Sequence, residues 1–192
     1  MSNEIEKLRQ DLEILAAMAE EMDSYLRSEV LFWPMTKAAM PRLTLGGYLM
    51  RQHRLTALQR LLTEEEQNRL QAVIKQFNMA LVEKIVRFEQ RAHQELEARL
   101  RQWGEYLNDL ARESGGSGAY YATAVEPRAM VAALINKLQL PPYQLEERIP
   151  QQVAMHDNNL RRRWQSGEFV WPEEWQPAYP KGEYWWLYGR PK

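Results

Sequence analysis

Residues 63–113, TEEEQNRLQAVIKQFNMALVEKIVRFEQRAHQELEARLRQWGEYLNDLARE, decide the fold class. The stretch opens on a capping box. The Thr63 hydroxyl is placed to accept the backbone N–H of residue 66, and the Glu66 carboxylate to accept that of Thr63. Glu64, Glu65 and Glu66 also put negative charge at the positive end of the helix dipole. From there to Gly115 there is no proline and one glycine, Gly104. Apolar residues recur at Ile74, Phe77, Leu81, Ile85, Phe88, Ala92, Leu96, Trp103, Leu107 and Leu110, with Arg99 interrupting the series beside Leu100. Spacings of three and four average near 3.6, which keeps the stripe on one face of a single, very long helix. Ser114-Gly115-Gly116-Ser117-Gly118 is expected to end it, glycine supplying the C-cap.

The length of this helix constrains the molecule. About 50 helical residues span about 75 Å, whereas a compact chain of this size is roughly 40 Å across. The helix overshoots a globule. That predicts a kink near Gly104, an elongated molecule, or a second copy covering the overhang.

On the N-terminal side, Ser2 or Asn3 can cap a first helix over about 3–32. Ile5, Leu8, Leu12, Leu15, Ala19, Met22 and Leu26 alternate spacings of three and four, a strict heptad seam. Its partner is the long helix or another subunit. Leu31-Phe32-Trp33-Pro34 ends it, because the residue before proline avoids the α region. The connector to Pro41 carries Trp33, Met35, Ala38, Ala39 and Met40, too apolar for a solvated linker, so it is expected to pack. Thr44 caps a second helix, about 45–62, with Leu45, Leu49, Leu55, Leu58 and Leu62 inward. Gly46-Gly47 weakens its first turn by about 1 kcal/mol per glycine, which implies either a close helix crossing or a ligand or partner backbone approaching there.

Charge is segregated across these segments. Residues 1–29 are rich in Asp and Glu, while residues 30–63 carry Lys37, Arg42, Arg51, Arg54 and Arg60 with no acid. Neighbouring segments of opposite sign neutralise one another; a basic face for phosphate or an acidic partner is the functional alternative.

Beyond the glycine-rich loop, Tyr120 and Tyr121 lead to Glu126-Pro127, a helix start. Met130, Val131, Leu134, Ile135 and Leu138 then make a short buried helix, about 127–139. Another is expected over about 150–165, from Pro150 through Arg161-Arg162-Arg163-Trp164, basic residues suiting the last turn. From Gly167 the helical period is lost. Phe169, Trp171, Trp175, Tyr179, Tyr184, Trp185, Trp186 and Tyr188 alternate with Pro172, Pro177, Pro180 and Pro191. Such composition is unlike that of a disordered segment. It predicts a strap that buries its indoles on the bundle, the alternative being a groove for a ligand or partner.

The expected architecture is therefore all-α: an elongated helical bundle (1–166) built on one very long helix (63–113), with a non-helical Trp/Pro-rich strap (167–192) packed on it. Composition narrows the rest. At 192 residues the chain holds one domain, with or without an appendage. A net charge of −1 gives no global attraction to nucleic acid or anionic membrane. With no cysteine, disulfides and thiolate metal sites are excluded, and a cytoplasmic location is expected. No apolar run approaches the roughly 20 residues of a membrane span, and the acidic, amphipathic N-terminus is unlike a signal peptide.

Chemistry-bearing patterns are sparse. Glu89, His93 and Glu97 share one stripe of the long helix, but di-iron bundles use Glu-x-x-His pairs, and His53, His93 and His156 all lack that spacing. No metal, no cofactor and no catalytic residue is expected, since no phosphate loop, zinc-protease pair or serine elbow occurs. The expected function is a non-enzymatic helical scaffold or adaptor working through protein–protein contacts, as a homodimer or with another protein. Candidate partner contacts are Trp33, Arg51, Arg54, Trp171, Trp175, Trp185 and Trp186. Arg42, Arg60, Arg161, Arg162 and Arg163 are candidates for phosphate or an acidic partner. A nucleic-acid accessory protein using residues 37–60 is the alternative, and an enzyme or ligand-binding bundle with a pocket built only in three dimensions is a further one.

Overall fold

In the computed structural model, residues 2–112 and 120–192 are described, those at 2 and 3 by backbone alone. The cap at Ser2 or Asn3 and the glycine stop at 114–118 fall outside the described residues and side chains. The helices are α1 (Ser2–Arg27), α2 (Leu45–Ala57), α3 (Glu64–Val82), α4 (Ile85–Arg112), α5 (Tyr121–Ala124), α6 (Glu126–Leu138) and α7 (Arg148–Arg161). A two-stranded antiparallel sheet, β1 (Trp164–Phe169) with β2 (Tyr188–Pro191), belongs to the C-terminal extension. The class is all-α with a non-helical aromatic strap, as the periodicity predicts.

The single helix expected over 63–113 is two helices. The capping box forms, with Thr63 Oγ1 accepting the Glu66 N–H at 3.2 Å and Glu66 Oε2 accepting the Thr63 N–H at 2.8 Å. The chain then turns at Glu83-Lys84, where the Lys84 N–H donates to the Leu81 carbonyl at 2.9 Å. Neither glycine nor proline causes this break. Phe77 and Phe88 are both fully buried, with ring centroids 6.4 Å apart; one continuous helix would separate these positions by about 16 Å along its axis. Bringing both rings into one core outweighs the few helical hydrogen bonds lost. Ile85, assigned to the inward stripe, is exposed at this corner. Gly104 makes no break: α4 runs through it, and the His156 ring packs where a side chain would be. At 28 residues, α4 is the longest helix.

The heptad seam of α1 is satisfied within the chain. Leu8, Leu12, Leu15, Ala19, Met22 and Leu26 are buried, and α1 packs against α3 and α2. The helix stops at Arg27, short of the predicted 32, because α4 captures its end. Arg91 donates to the carbonyls of Tyr25 (3.4 Å), Ser28 and Val30 (2.5 Å), and Arg87 to those of Leu26 (3.4 Å) and Arg27 (3.2 Å). Cationic donors on terminal carbonyls are a C-cap supplied by tertiary structure. In the connector, Trp33, Met35 and Met40 pack on the core as expected, but Ala38 and Ala39 are exposed.

The remaining boundaries shift modestly. The second helix ends at Ala57 and gives way to a 3-10 turn at Gln59–Leu61. The last helix runs from Arg148 to Arg161, so Trp164 begins β1 instead of ending a helix. Central in the bundle is α2, which touches α1, α3, α4, α6 and the strap.

Candidate functional site

The Arg51/Arg54 pair, expected to face a partner, turns inward. Arg54 Nη1 donates to Asp11 Oδ2 of α1 at 2.6 Å, and Arg51 Nε lies 3.4 Å from Asp11 Oδ1. The Arg54 guanidinium stacks 3.6 Å from the Trp175 ring centroid and reaches the Tyr179 hydroxyl at 3.2 Å. Beside it, His53 Nε2–H donates to the Ala178 carbonyl at 2.7 Å. Of the basic run, Arg51 and Arg54 thus meet an acid of α1, and this one acid, the two arginines and the strap's indoles form the seam that fastens residues 167–192 to α2. Further ion pairs join α1 to α3, Arg69 to Glu13 and Arg9 to Glu66.

The other aromatic candidates serve the same attachment. Trp186 is 1% exposed and shielded by Arg128, itself held bidentate by Asp157 at 3.0 Å. Its backbone carbonyl accepts the Tyr121 hydroxyl at 2.6 Å. Trp171 Nε1 donates to the Ala122 carbonyl at 2.7 Å. Trp185 is half-buried, with Arg161 stacked 3.8 Å over it. Trp33, far from the strap in sequence, donates to Glu21 Oε2 at 2.7 Å. Arg42, Arg60 and Arg162 are exposed, and Arg163 is half-buried beside Asn159.

The Glu89/His93/Glu97 stripe has a structural task. Glu89 Oε2 accepts the Gln144 N–H at 2.9 Å, His93 Nε2 accepts the Glu146 N–H at 3.1 Å, and Glu97 pairs with Arg148. His93 Nδ1–H donates to the Glu89 carbonyl at 2.9 Å, which places the ring hydrogen on Nδ1. The stripe docks the connector between α6 and α7. Among the described residues no three carboxylate or imidazole groups converge on a metal-sized point.

Gly46 is explained by a buried carboxylate. Glu95 of α4 is 0% exposed, and its Oε2 accepts the Gly46 N–H at 2.9 Å in the first turn of α2. A Cβ on Gly46 would stand 2.5 Å from Glu95 Oε1 and 3.0 Å from Met130 Cβ, so the glycine serves a close crossing of α2, α4 and α6. Burial, the largest influence, pushes the Glu95 carboxyl above the usual range, and Arg99 with Nε at 3.3 Å offsets only part of this.

Two of the solvent-open features stand out: one at a corner where the sequence placed Ile85 inward, the other in the aromatic extension, where a groove was expected only as the alternative to a strap. At the α3–α4 corner, Met79, Val82 and Val86 are 66%, 70% and 68% exposed, beside Ile85 at 38%. Around them stand the exposed side chains of Arg27, Arg87, Glu29 and Glu83. The second feature is a cavity of about 720 Å³ in the C-terminal extension, whose lining includes Glu168, Phe169, Trp171, Glu173, Lys181 and Tyr188. A β-bulge between Ser166 and Phe169 brings Gly167 and Glu168 into that lining; bulges re-aim side chains in this way. The aromatic spacing from 169 to 188 was the available signal, but it does not separate rings that fasten the strap from rings that line a cavity.

The chain matches no protein-family model, no curated protein and no solved structure at a significant level. Among the described residues, no helix is long and apolar enough to cross a membrane.

Proposed function

We propose that the protein is a non-enzymatic helical scaffold that self-associates through its α3–α4 corner. The observation that carries this reading is the group of exposed apolar side chains at that corner, Met79, Val82, Ile85 and Val86, four of the eight large hydrophobic residues exposed among the described residues. Contiguous apolar surface rimmed by polar groups marks interaction sites. The rim favours a second copy as occupant. Arg27 and Arg87 face solvent beside Glu29 and Glu83, two charges of each sign. A two-fold contact sets a patch against itself and needs both signs, whereas an acidic or basic partner would select one.

The dimer of this reading differs in its interface from one built on the α1 seam or on an overhanging helix, both of which the chain absorbs internally. Four apolar residues and their charged rim are few beside the roughly 20–30 residues a side of a standard interface, so association is weak and concentration-dependent. A cytoplasmic location belongs to the same reading, supported by the absence of cysteine. Sedimentation velocity on the full chain at rising concentration tests it. Reversible dimerisation abolished by Val82→Glu with Val86→Glu is the expected result, and a 22.8 kDa monomer at every concentration contradicts it.

A further inference from the structure

We propose that the cavity in the C-terminal extension binds a small organic ammonium ion, a quaternary one best of all. Three aromatic residues contribute to its wall, Phe169, Trp171 and Tyr188. Their rings meet at steep angles. Phe169 and Trp171 lie 6.4 Å apart at 84°, and Phe169 and Tyr188 5.1 Å apart at 48°. Non-parallel rings lining one cavity can present faces and edges to a single compact group, as in an aromatic cage, where ring faces attract a cation electrostatically.

The charges agree with this occupant. Glu168 and Glu173 line the cavity, are exposed, and join no ion pair among the described residues. The cation in the lining, Lys181, leaves one negative charge in excess. Its Nζ lies 5.8 Å from the Tyr188 ring centroid, close to the limit of about 6 Å for such attraction. An ammonium group therefore already rests on one ring of the cavity, weakly held and carried by a solvent-exposed turn. A better-fitting cation displaces it and gains the two carboxylates. The rings are fixed from behind: Trp171 by its hydrogen bond to Ala122, and Tyr188 by donating to the Tyr179 carbonyl at 2.6 Å. Little ordering is left for binding to cost.

The test is an NMR titration of the full chain with choline chloride, read at the indole N–H signals, at constant ionic strength. The neutral isostere 3,3-dimethylbutanol runs beside it. Saturable shifts with choline and none with the alcohol are expected. Lys181→Gln, on an exposed turn, removes the internal competitor and tightens binding by about 2- to 5-fold, while Glu173→Gln weakens it by a similar factor. Parallel titrations with trimethyllysine amide and with phosphatidylcholine vesicles separate a protein side chain from a lipid headgroup as the natural source, a response to either supporting the site. No saturable shift with choline even in Lys181→Gln, equal binding of the alcohol, or affinity that neither substitution alters would each overturn the proposal.

Discussion

At the scale of single residues, the contact between Gly46 and Glu95 makes two predictions. Gly46→Ala drives a methyl to 2.5 Å from a fully buried carboxylate and 3.0 Å from Met130 Cβ, an atom fixed by its backbone. It should destabilise the fold by about 1–3 kcal/mol, the usual cost of overpacking. The neighbouring Gly47→Ala meets Thr44 Oγ1 at 3.0 Å and the far end of the long Arg51 side chain at 3.4 Å, contacts less tight than the 2.5 Å at Gly46. There the gain in helix propensity, about 1 kcal/mol, offsets most of the crowding. Denaturant midpoints of the two variants should therefore separate, and equal losses would contradict the crossing geometry.

Glu95 itself links stability to pH. Burial raises its folded-state pKa above the unfolded value of about 4.3. Its contribution is thus fully present below that value and is lost as pH rises through the folded pKa. Glu95→Gln keeps an acceptor for the Gly46 N–H and has no proton to lose. The melting temperature of Glu95→Gln minus that of the native chain should grow between about pH 4 and pH 8. His156, whose pKa burial lowers, titrates alike in both chains and cancels in the difference. A difference that stays flat with pH would show that Arg99 and the helix terminus fully compensate the buried carboxylate.

At the scale of elements, the C-terminal extension behaves as part of the core. Trp186, Tyr179, Leu187 and Tyr188 are buried, and the Arg54–Asp11 pair lies beneath Trp175. Removing residues 167–192 opens that pair to water and strips the rings from α2 and α6. The truncated chain should melt at least about 10 °C lower, given about 2–4 °C per kcal/mol for a chain of this size. An unchanged melting temperature would make the extension a free arm. The helix breaks belong to this scale too. Composition between Val82 and Ile85 favours helix throughout, and the turn forms because the two phenylalanines and the end of α1 are fastened together by α4.

At the scale of the whole molecule, folding the 63–113 segment into two helices creates the exposed corner, and the corner is where self-association is expected. Val82 and Val86 are 70% and 68% exposed, so the Val82→Glu, Val86→Glu double variant should keep the native melting temperature while losing any dimer seen in sedimentation. Loss of stability together with the dimer would mean that the corner supports the fold, and would weaken the functional reading.

Local patterns in this sequence determined what depends on neighbours along the chain. The capping box at Thr63, the apolar periods of α1, α4 and α6, the start at Pro127 and the loss of helix after Gly167 were all legible, because propensity, capping and amphipathicity act within a few turns. So was the pairing of an α1 acid with α2 arginines, at the level of charge runs. Tertiary structure alone decided the turn at Glu83-Lys84, the early end of α1 under Arg91, the inward rotation of Arg51 and Arg54, and the docking of the connector on Glu89 and His93. Each of these rests on contacts between residues far apart in sequence, whose combined energy exceeds the local preference it overrides. The candidate sites fall in the same group: an exposed corner and a ring-lined cavity exist only once distant segments have been brought side by side.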